Sequence, residues 1–220
     1  MLEALKPRDL MKIAILAAMF AVLSLIPISI FIGAGSFLSL SLVVTPVIAI
    51  LLAPLEALIC SIIAGLVIVF LNPGAAMFGI LTLLLPTAGS ICGSLIFHKK
   101  IGFLPVSIFL LGVIVFYIIN RKSFIFWIVP HIIALILVIG SPLMVKINVK
   151  IYVISFISTM CEQGVMLILA ISFLKLPVVV FQTAFPLMLY ERVFATIGGI
   201  ILILTLRRVV PQYIDLSNSD

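Results

Sequence analysis

The sequence predicts an all-α, polytopic transmembrane bundle of about eight helices, within a range of six to eight. Of its 220 residues, 65% are hydrophobic and only 9% are charged. A soluble domain carries roughly 25% charged residues, so this chain lacks the polar side chains needed to cover a water-facing surface. Uncharged runs of about 20 residues recur along it, and a helix of that length crosses the hydrocarbon layer.

Charges and turn-forming residues divide the apolar sequence into these helices. Pro54 with Glu56 separates the first pair from the second, and Asn72-Pro73-Gly74 is a turn signal within the second pair. The predicted helices lie near residues 13–32, 37–53, 55–71, 75–97, 101–120, 123–145, 151–174 and 180–206. They form a single bundle over residues 13–206, between an N-terminal flank, 1–12, and a polar tail, 207–220.

The distribution of Lys and Arg predicts the orientation of this bundle. Short cytoplasmic loops are enriched in these residues, and an arrangement with both termini inside places nine of them in the cytoplasm and three outside. The nine are Lys6, Arg8, Lys12, Lys99, Lys100, Lys146, Lys150, Arg207 and Arg208, and the three are Arg121, Lys122 and Lys175. We therefore expect a multi-pass protein of the cell membrane with a cytoplasmic flank and a cytoplasmic tail.

Several classes of function are disfavoured by the same sequence. The net charge of +6 comes from residues at the ends of apolar segments, which is typical of membrane orientation and not of nucleic-acid binding. There is no P-loop, HExxH or GxSxG motif and no pair of intramembrane aspartates. Cys60, Cys92 and Cys161 lack the spacing of a metal site and are expected to be packing residues. We predict no enzyme activity, no metal site and no cofactor.

Three formal charges fall well inside predicted helices and are the first candidates for a binding site. They are Glu162 in the seventh helix and Glu191 and Arg192 in the eighth. Charges inside a membrane face the bundle interior and find partners, so Glu162 and Arg192 are expected to approach each other or share a polar cavity. With Gln163 they are predicted to line a solute site. The alternative is a buried ion pair that only fixes helix packing.

Three further residues are weaker candidates for contact with a solute. His131 follows Trp127 by four residues, on the same helix face, so the two rings are placed to hold a flat heterocyclic molecule. The alternative for this pair is an interfacial aromatic belt. Asn72, in the turn, either contacts solute or caps a helix.

Small residues recur at four-residue spacing in several helices, where they permit close helix packing in lipid. Most such stripes are expected to lie inside the bundle. The stripe in the first helix is also a candidate for docking on another membrane protein, and it consists of Ala14, Ala17, Ala18 and Ala21.

The N-terminal half resembles the substrate-binding S components of energy-coupling factor (ECF) vitamin transporters. The resemblance covers roughly residues 12–97 and lies in Lys12–Pro27, with its alanine stripe, in the Gly/Ser loop after it, and in the segment from Leu38 through Pro54 to Leu58. Ala14 and Ala18, with Ala17 and Ala21, match the family's docking stripe. Members usually have six helices, so the resemblance implies either an added helical hairpin at 101–145 or a different division of the chain into helices.

The resemblance implies a membrane-embedded subunit that captures a vitamin-like small molecule from outside. It implies docking on a transmembrane T subunit and coupling to two separate ATPase subunits, which agrees with the absence of an ATP-binding motif. The Gly33–Ser36 loop would then be a lid over the solute.

Two other classes of function remain open from the sequence. One is a structural subunit of a larger membrane complex that binds no solute. The other is a stand-alone secondary transporter in which Glu162 carries a coupling proton, although the paired broken helices typical of such transporters are not evident.

Overall fold

The computed structural model describes residues 6–31, 36–120 and 125–209, and within them the chain folds as eight α-helices with one β-hairpin. The strands are β1 (Pro27–Phe31) and β2 (Ser36–Ser39). The helices are α1 (Pro7–Ser24), α2 (Val44–Leu51), α3 (Pro54–Leu71), α4 (Leu84–His98), α5 (Phe103–Asn120), α6 (Val129–Gly140), α7 (Ile147–Ser172) and α8 (Val178–Val209). The predicted all-α bundle is confirmed at this level.

Six helical segments are long and apolar enough to cross a membrane, which makes this a multi-pass membrane protein. They are Pro54–Leu71, Gly79–His98, Phe103–Asn120, Ile125–Leu143, Ile147–Ser172 and Val178–Val209. Two of these segments include 3₁₀ turns, one turn before α4 and one on each side of α6. The remaining apolar helical segment, Leu40–Leu51, is shorter, and α1 carries charges at Arg8, Asp9 and Lys12 in its first two turns.

The first predicted helix differs most from the structure. It was expected over 13–32, but α1 begins at Pro7 and ends at Ser24, and the chain then forms β1. Pro27 has no N–H for a helical hydrogen bond and disfavours helical backbone at the preceding residue. Beyond it, polar and β-branched residues alternate, which suits a strand. β1 pairs antiparallel with β2, Pro27 opposite Ser39 and Phe31 opposite Ser36.

The α7 helix is the centre of the bundle. Of its most apolar 18 residues, 83% are buried, against 28–56% in the other five spanning segments. It packs on α4, α5, α6, α2 and α8. Small residues allow two of these contacts: a Cβ atom at Gly93 in α4 would lie 2.7 Å from the Ala49 Cβ atom of α2 and 3.2 Å from the Ser158 Cβ atom of α7. The small residues of α4, Gly89 and Gly93, therefore pack inside the bundle, as predicted for most such stripes.

Local contacts fix which helix ends lie together. The Lys150 ammonium lies 4.9 Å from the centre of the Phe97 ring, and Arg207 Nη1 donates to Asn148 Oδ1 at 3.3 Å. The beginning of α7 and the ends of α4 and α8 therefore share one end of the bundle, which we call the basic end. The three cysteines are buried and unoxidised, in agreement with a packing role.

Candidate functional site

Four polar residues meet in the interior where α7 packs on α8. Glu162, Glu191 and Arg192 are each only 2% exposed, and Gln163 is fully buried. These are the residues singled out by the rule that charges within spans face the bundle interior. The helices place them at matching heights, with Glu162 and Gln163 in the middle of α7 and the other two in the middle of α8.

Arg192 points from α8 into the contact with α7. Its Nη1 atom donates to the Thr159 carbonyl oxygen at 3.2 Å, one helical turn before Glu162. The guanidinium is close enough to attract both the Glu162 and the Glu191 carboxylates electrostatically. The structure thus brings Arg192 and Glu162 together, although the hydrogen bond of Arg192 goes to backbone.

Glu191 faces away from this contact and towards the β-hairpin. The Ser29 hydroxyl of β1 donates to Glu191 Oε1. Adjacent residues on a helix point about 100° apart, which explains why Glu191 and Arg192 reach different partners. Ser29 had no signal in the sequence, because it lies in a segment that reads as the end of a transmembrane helix.

A cavity begins at Gln163 and Glu191 and extends along α7 and α8 to the loop that joins them. Its empty space, counting the space at its mouth, is about 430 Å³. The wall is almost entirely apolar and is formed by Trp127, Gln163, Met166, Leu167, Ala170, Leu176, Val180, Phe181, Ala184, Leu187, Met188 and Glu191. Three predicted site residues, Trp127, Gln163 and Glu191, are therefore brought to one cavity.

The polar groups in this wall have unused hydrogen-bonding capacity. Within the part of the chain that the structure describes, neither amide atom of Gln163 has a hydrogen-bond partner, and neither does Trp127 Nε1. Buried polar atoms are nearly always hydrogen-bonded in native proteins. Two unsatisfied side chains in one cavity wall are the arrangement expected where a bound molecule supplies the missing partners.

Aromatic rings form one side of the cavity. The Trp127 and Phe181 rings meet edge to face, with centroids 5.3 Å apart and an interplanar angle of 89°. The Phe185 ring lies 5.9 Å from the Trp127 ring but is not part of the cavity wall. Phe181 was not distinguishable in the sequence, since an aromatic residue in an apolar span is usually a packing residue.

His131 does not line the cavity. It is fully buried, and its Nδ1 atom is hydrogen-bonded to the Trp127 carbonyl oxygen, one turn earlier in the chain, at 3.3 Å. The structure therefore does not bring the Trp127 and His131 rings to one cavity. Trp127 is only 4% exposed, which does not suit the alternative of an interfacial aromatic belt.

Asn72 lies away from the cavity. It ends α3, and its amide nitrogen donates to the Ser24 carbonyl oxygen at the end of α1, at 2.6 Å. Asn72 does not belong to the cavity wall, and its position agrees with the alternative role of closing a helix end.

The alanine stripe of α1 is divided between two faces. Ala14 and Ala18 are exposed, Ala21 is half-buried, and Ala17 is buried in the core. Ala17 faces inward with Ile13, Leu16 and Phe20, so it cannot belong to a docking surface. The predicted lid residues Gly33, Ala34 and Gly35 lie outside the described residues.

Two features of the cavity wall permit movement. Pro186 lies inside α8 and leaves the Gln182 carbonyl without its helical hydrogen bond. Met166 and Met188 are flexible side chains on opposite walls. The enclosed part of the cavity has room for only about two water molecules, so a larger molecule requires these side chains to move.

Comparison with known proteins gives no family: no protein-family model, no curated protein and no solved structure matches this chain.

Proposed function

We propose that this chain is the membrane-embedded solute-binding subunit of an importer of the ECF type, energised by separate ATPase subunits. The observation that carries the proposal is the cavity between α7 and α8, in which the Gln163 amide and the Trp127 indole N–H lack partners. A subunit with only a structural role has no need to keep unsatisfied groups in a cavity wall.

The chemistry of the cavity supports binding of a small molecule. Ligand pockets typically have mostly apolar walls and a few polar groups that orient the ligand. The wall of this cavity consists of aliphatic, methionine and aromatic side chains around Gln163, Trp127 and Glu191. A solute of the size of a vitamin would enter once the flexible Met166 and Met188 side chains move.

The hairpin is a candidate lid for this cavity. Ser29 of β1 donates a hydrogen bond to Glu191, which lines the cavity wall. A hydrogen bond to a charged group contributes about 1.5–3 kcal/mol net, and a solute that offers Glu191 an equivalent donor can replace it. Release of Ser29 from Glu191 would uncouple the hairpin from α8 and open access to the site.

Coupling to ATP hydrolysis requires a partner protein, and the outward face of α1 is suited to bind one. Ala14 and Ala18 are exposed on this face, one turn apart, with exposed Met11 and Ile15 beside them. In lipid, small residues at this spacing let a partner helix approach closely. We assign this face to the T-type membrane subunit, and the basic end of the bundle to the cytoplasm of the cell.

Affinity purification of the tagged chain from its own host in mild detergent tests the proposal. Mass spectrometry of the eluate should identify a T-type membrane subunit, two ATPase subunits and a bound small molecule. Elution with unrelated membrane subunits and no small molecule would overturn the proposal in favour of a structural subunit.

One observation favours a second candidate, a proton-coupled secondary transporter. Glu162 is buried in the middle of α7, and its Oε2 atom has no partner among the described residues, which suits a group that gains and loses a proton. Such a transporter would move solute into liposomes without ATP and would lose this activity on Glu162→Gln. The importer subunit alone would show no ATP-independent transport.

A further inference from the structure

The buried polar residues of α7 and α8 do not balance in charge. Glu162 and Glu191 are carboxylates and Arg192 is a guanidinium, and all three are 2% exposed. Arg192 is the one cation acting on these two carboxylates within residues 6–31, 36–120 and 125–209. With both carboxylates ionised, the cluster carries one excess negative charge.

His131 does not supply the missing positive charge. Its Nδ1 atom is hydrogen-bonded to the Trp127 carbonyl, while its Nε2 atom has no partner among the described residues. A protonated imidazole has an N–H at both positions, and the second would be left without an acceptor in the core.

An uncompensated charge in the interior of a membrane protein is costly and is neutralised either by a proton or by a bound cation. Glu191 is the carboxylate that borders the cavity, and the rings of Trp127 and Phe181 belong to the same wall. Carboxylates and aromatic faces both attract an ammonium group, and this attraction strengthens away from water. The Gln163 side-chain oxygen adds an unused acceptor.

We propose that the cavity binds a small organic monocation, with its ammonium group against Glu191 and Gln163 and its apolar body against Trp127, Phe181 and Met166. The inference rests on the proposed function and names the substrate class of that site. An anionic solute is disfavoured by position, because Arg192 does not line the cavity and its Nη1 atom is directed to Thr159. The only charged side chain in the cavity wall, among the described residues, is the Glu191 carboxylate.

Three probes of similar size test the charge preference: benzylammonium, benzyl alcohol and benzoate. They are titrated at neutral pH into the full chain in lipid nanodiscs, with empty nanodiscs as background. Trp127 is the only tryptophan in the chain, so its fluorescence reports directly on the cavity. We expect benzylammonium to bind about tenfold more tightly than benzyl alcohol, and benzoate not to bind.

Variants identify the group responsible. Glu191→Gln should abolish the preference for benzylammonium over benzyl alcohol, and Glu191→Asp should keep it. Gln182→Leu, on the exposed side of the same helix, should leave all three affinities unchanged. The comparison among probes is made on the unmodified chain, so it stands even if a Glu191 variant fails to fold.

The outcomes separate this inference from the proposed function. Equal binding of the three probes, preference for benzoate, or a preference that survives Glu191→Gln would overturn the monocation inference alone. So would a neutral or anionic small molecule that co-purifies with the chain, which would still support solute binding. If no probe changes the Trp127 fluorescence and no small molecule co-purifies, both proposals are overturned.

Discussion

Single glycines determine how closely the helices around the site can pack. A Cβ atom at Gly89 in α4 would lie 2.6 Å from Thr45 Cγ2 in α2 and 2.8 Å from the Ser158 carbonyl oxygen in α7. The Ser158 hydroxyl in turn donates to the Gly89 carbonyl oxygen at 2.9 Å. Glu162 lies at this same three-helix contact, since its Cβ atom is 3.2 Å from the Gly89 position. The close packing at Gly89 therefore helps to position Glu162 between α4 and α7.

We predict that Gly89→Ala destabilises the protein by about 1–3 kcal/mol, because the methyl group has no space without a shift of α2 or α7. Gly112→Ala in α5 is the matched control, since no atom lies within 4 Å of its added methyl group. The control should stabilise the helix by up to about 1 kcal/mol. Thermal unfolding in detergent measures both, and equal midpoints for the two variants would contradict this account of the contact.

At the scale of the element, α1 has two faces with different roles. Its inner face carries Ile13, Leu16, Ala17 and Phe20, all at most 5% exposed. Its outer face carries Ala14 and Ala18 among exposed apolar residues. The inner face holds the helix on the bundle, so changes on the outer face can alter partner binding without unfolding the chain.

We predict that the double substitution Ala14→Leu with Ala18→Leu removes the T-type subunit and the ATPases from the purified complex but leaves the bound small molecule. Leucine side chains keep a partner helix from approaching closely. Gly112→Leu, which adds the same side chain to an exposed position on α5, is the control and should retain every subunit. If the double leucine variant retains the T-type subunit and the ATPases, α1 is excluded as the docking helix.

At the scale of the whole molecule, the basic end defines the orientation in the membrane. Lys146, Lys150 and Arg207 lie together at this end, while Lys175 follows the opposite end of α7. We predict that a membrane-impermeant maleimide labels Lys175→Cys in intact cells and labels Lys100→Cys only after permeabilisation. The native cysteines are buried and give little background. The reverse pattern of labelling would invert the proposed orientation.

Much of the fold was predictable, because a helix that crosses a membrane requires a run of about 20 apolar residues. Apolar runs bounded by charges or by Asn72-Pro73 predicted α3, α5, α7 and α8 to within about four residues at each end. The helices α2, α4 and α6 are shorter than predicted, because 3₁₀ turns occupy part of their predicted ranges. After Ser24 the structure departs from the predicted helix, since Pro27 and alternating side chains form a strand. Hydropathy does not distinguish an apolar strand from the end of an apolar helix, so the hairpin was missed.

The site was predictable only in its charges. Glu162, Glu191 and Arg192 were found because an ionised group in a span needs the bundle interior. Ser29, Phe181 and Pro186 were missed, since each belongs to a residue type that usually has a packing or turn role in such a sequence. Their role depends on the contact between α7, α8 and the hairpin, which are distant in sequence.

The central claim is that the cavity between α7 and α8, which Trp127 lines, holds a small molecule. Native mass spectrometry of the chain purified from its host tests this claim most directly. Unmodified protein should carry an added small-molecule mass that is released on denaturation. Gln163→Leu should lose that mass and still fold, because the amide it removes has no partner among the described residues. Gln182→Leu should keep it. A bare chain in every preparation, or the same bound mass in Gln163→Leu as in the unmodified protein, would contradict the claim.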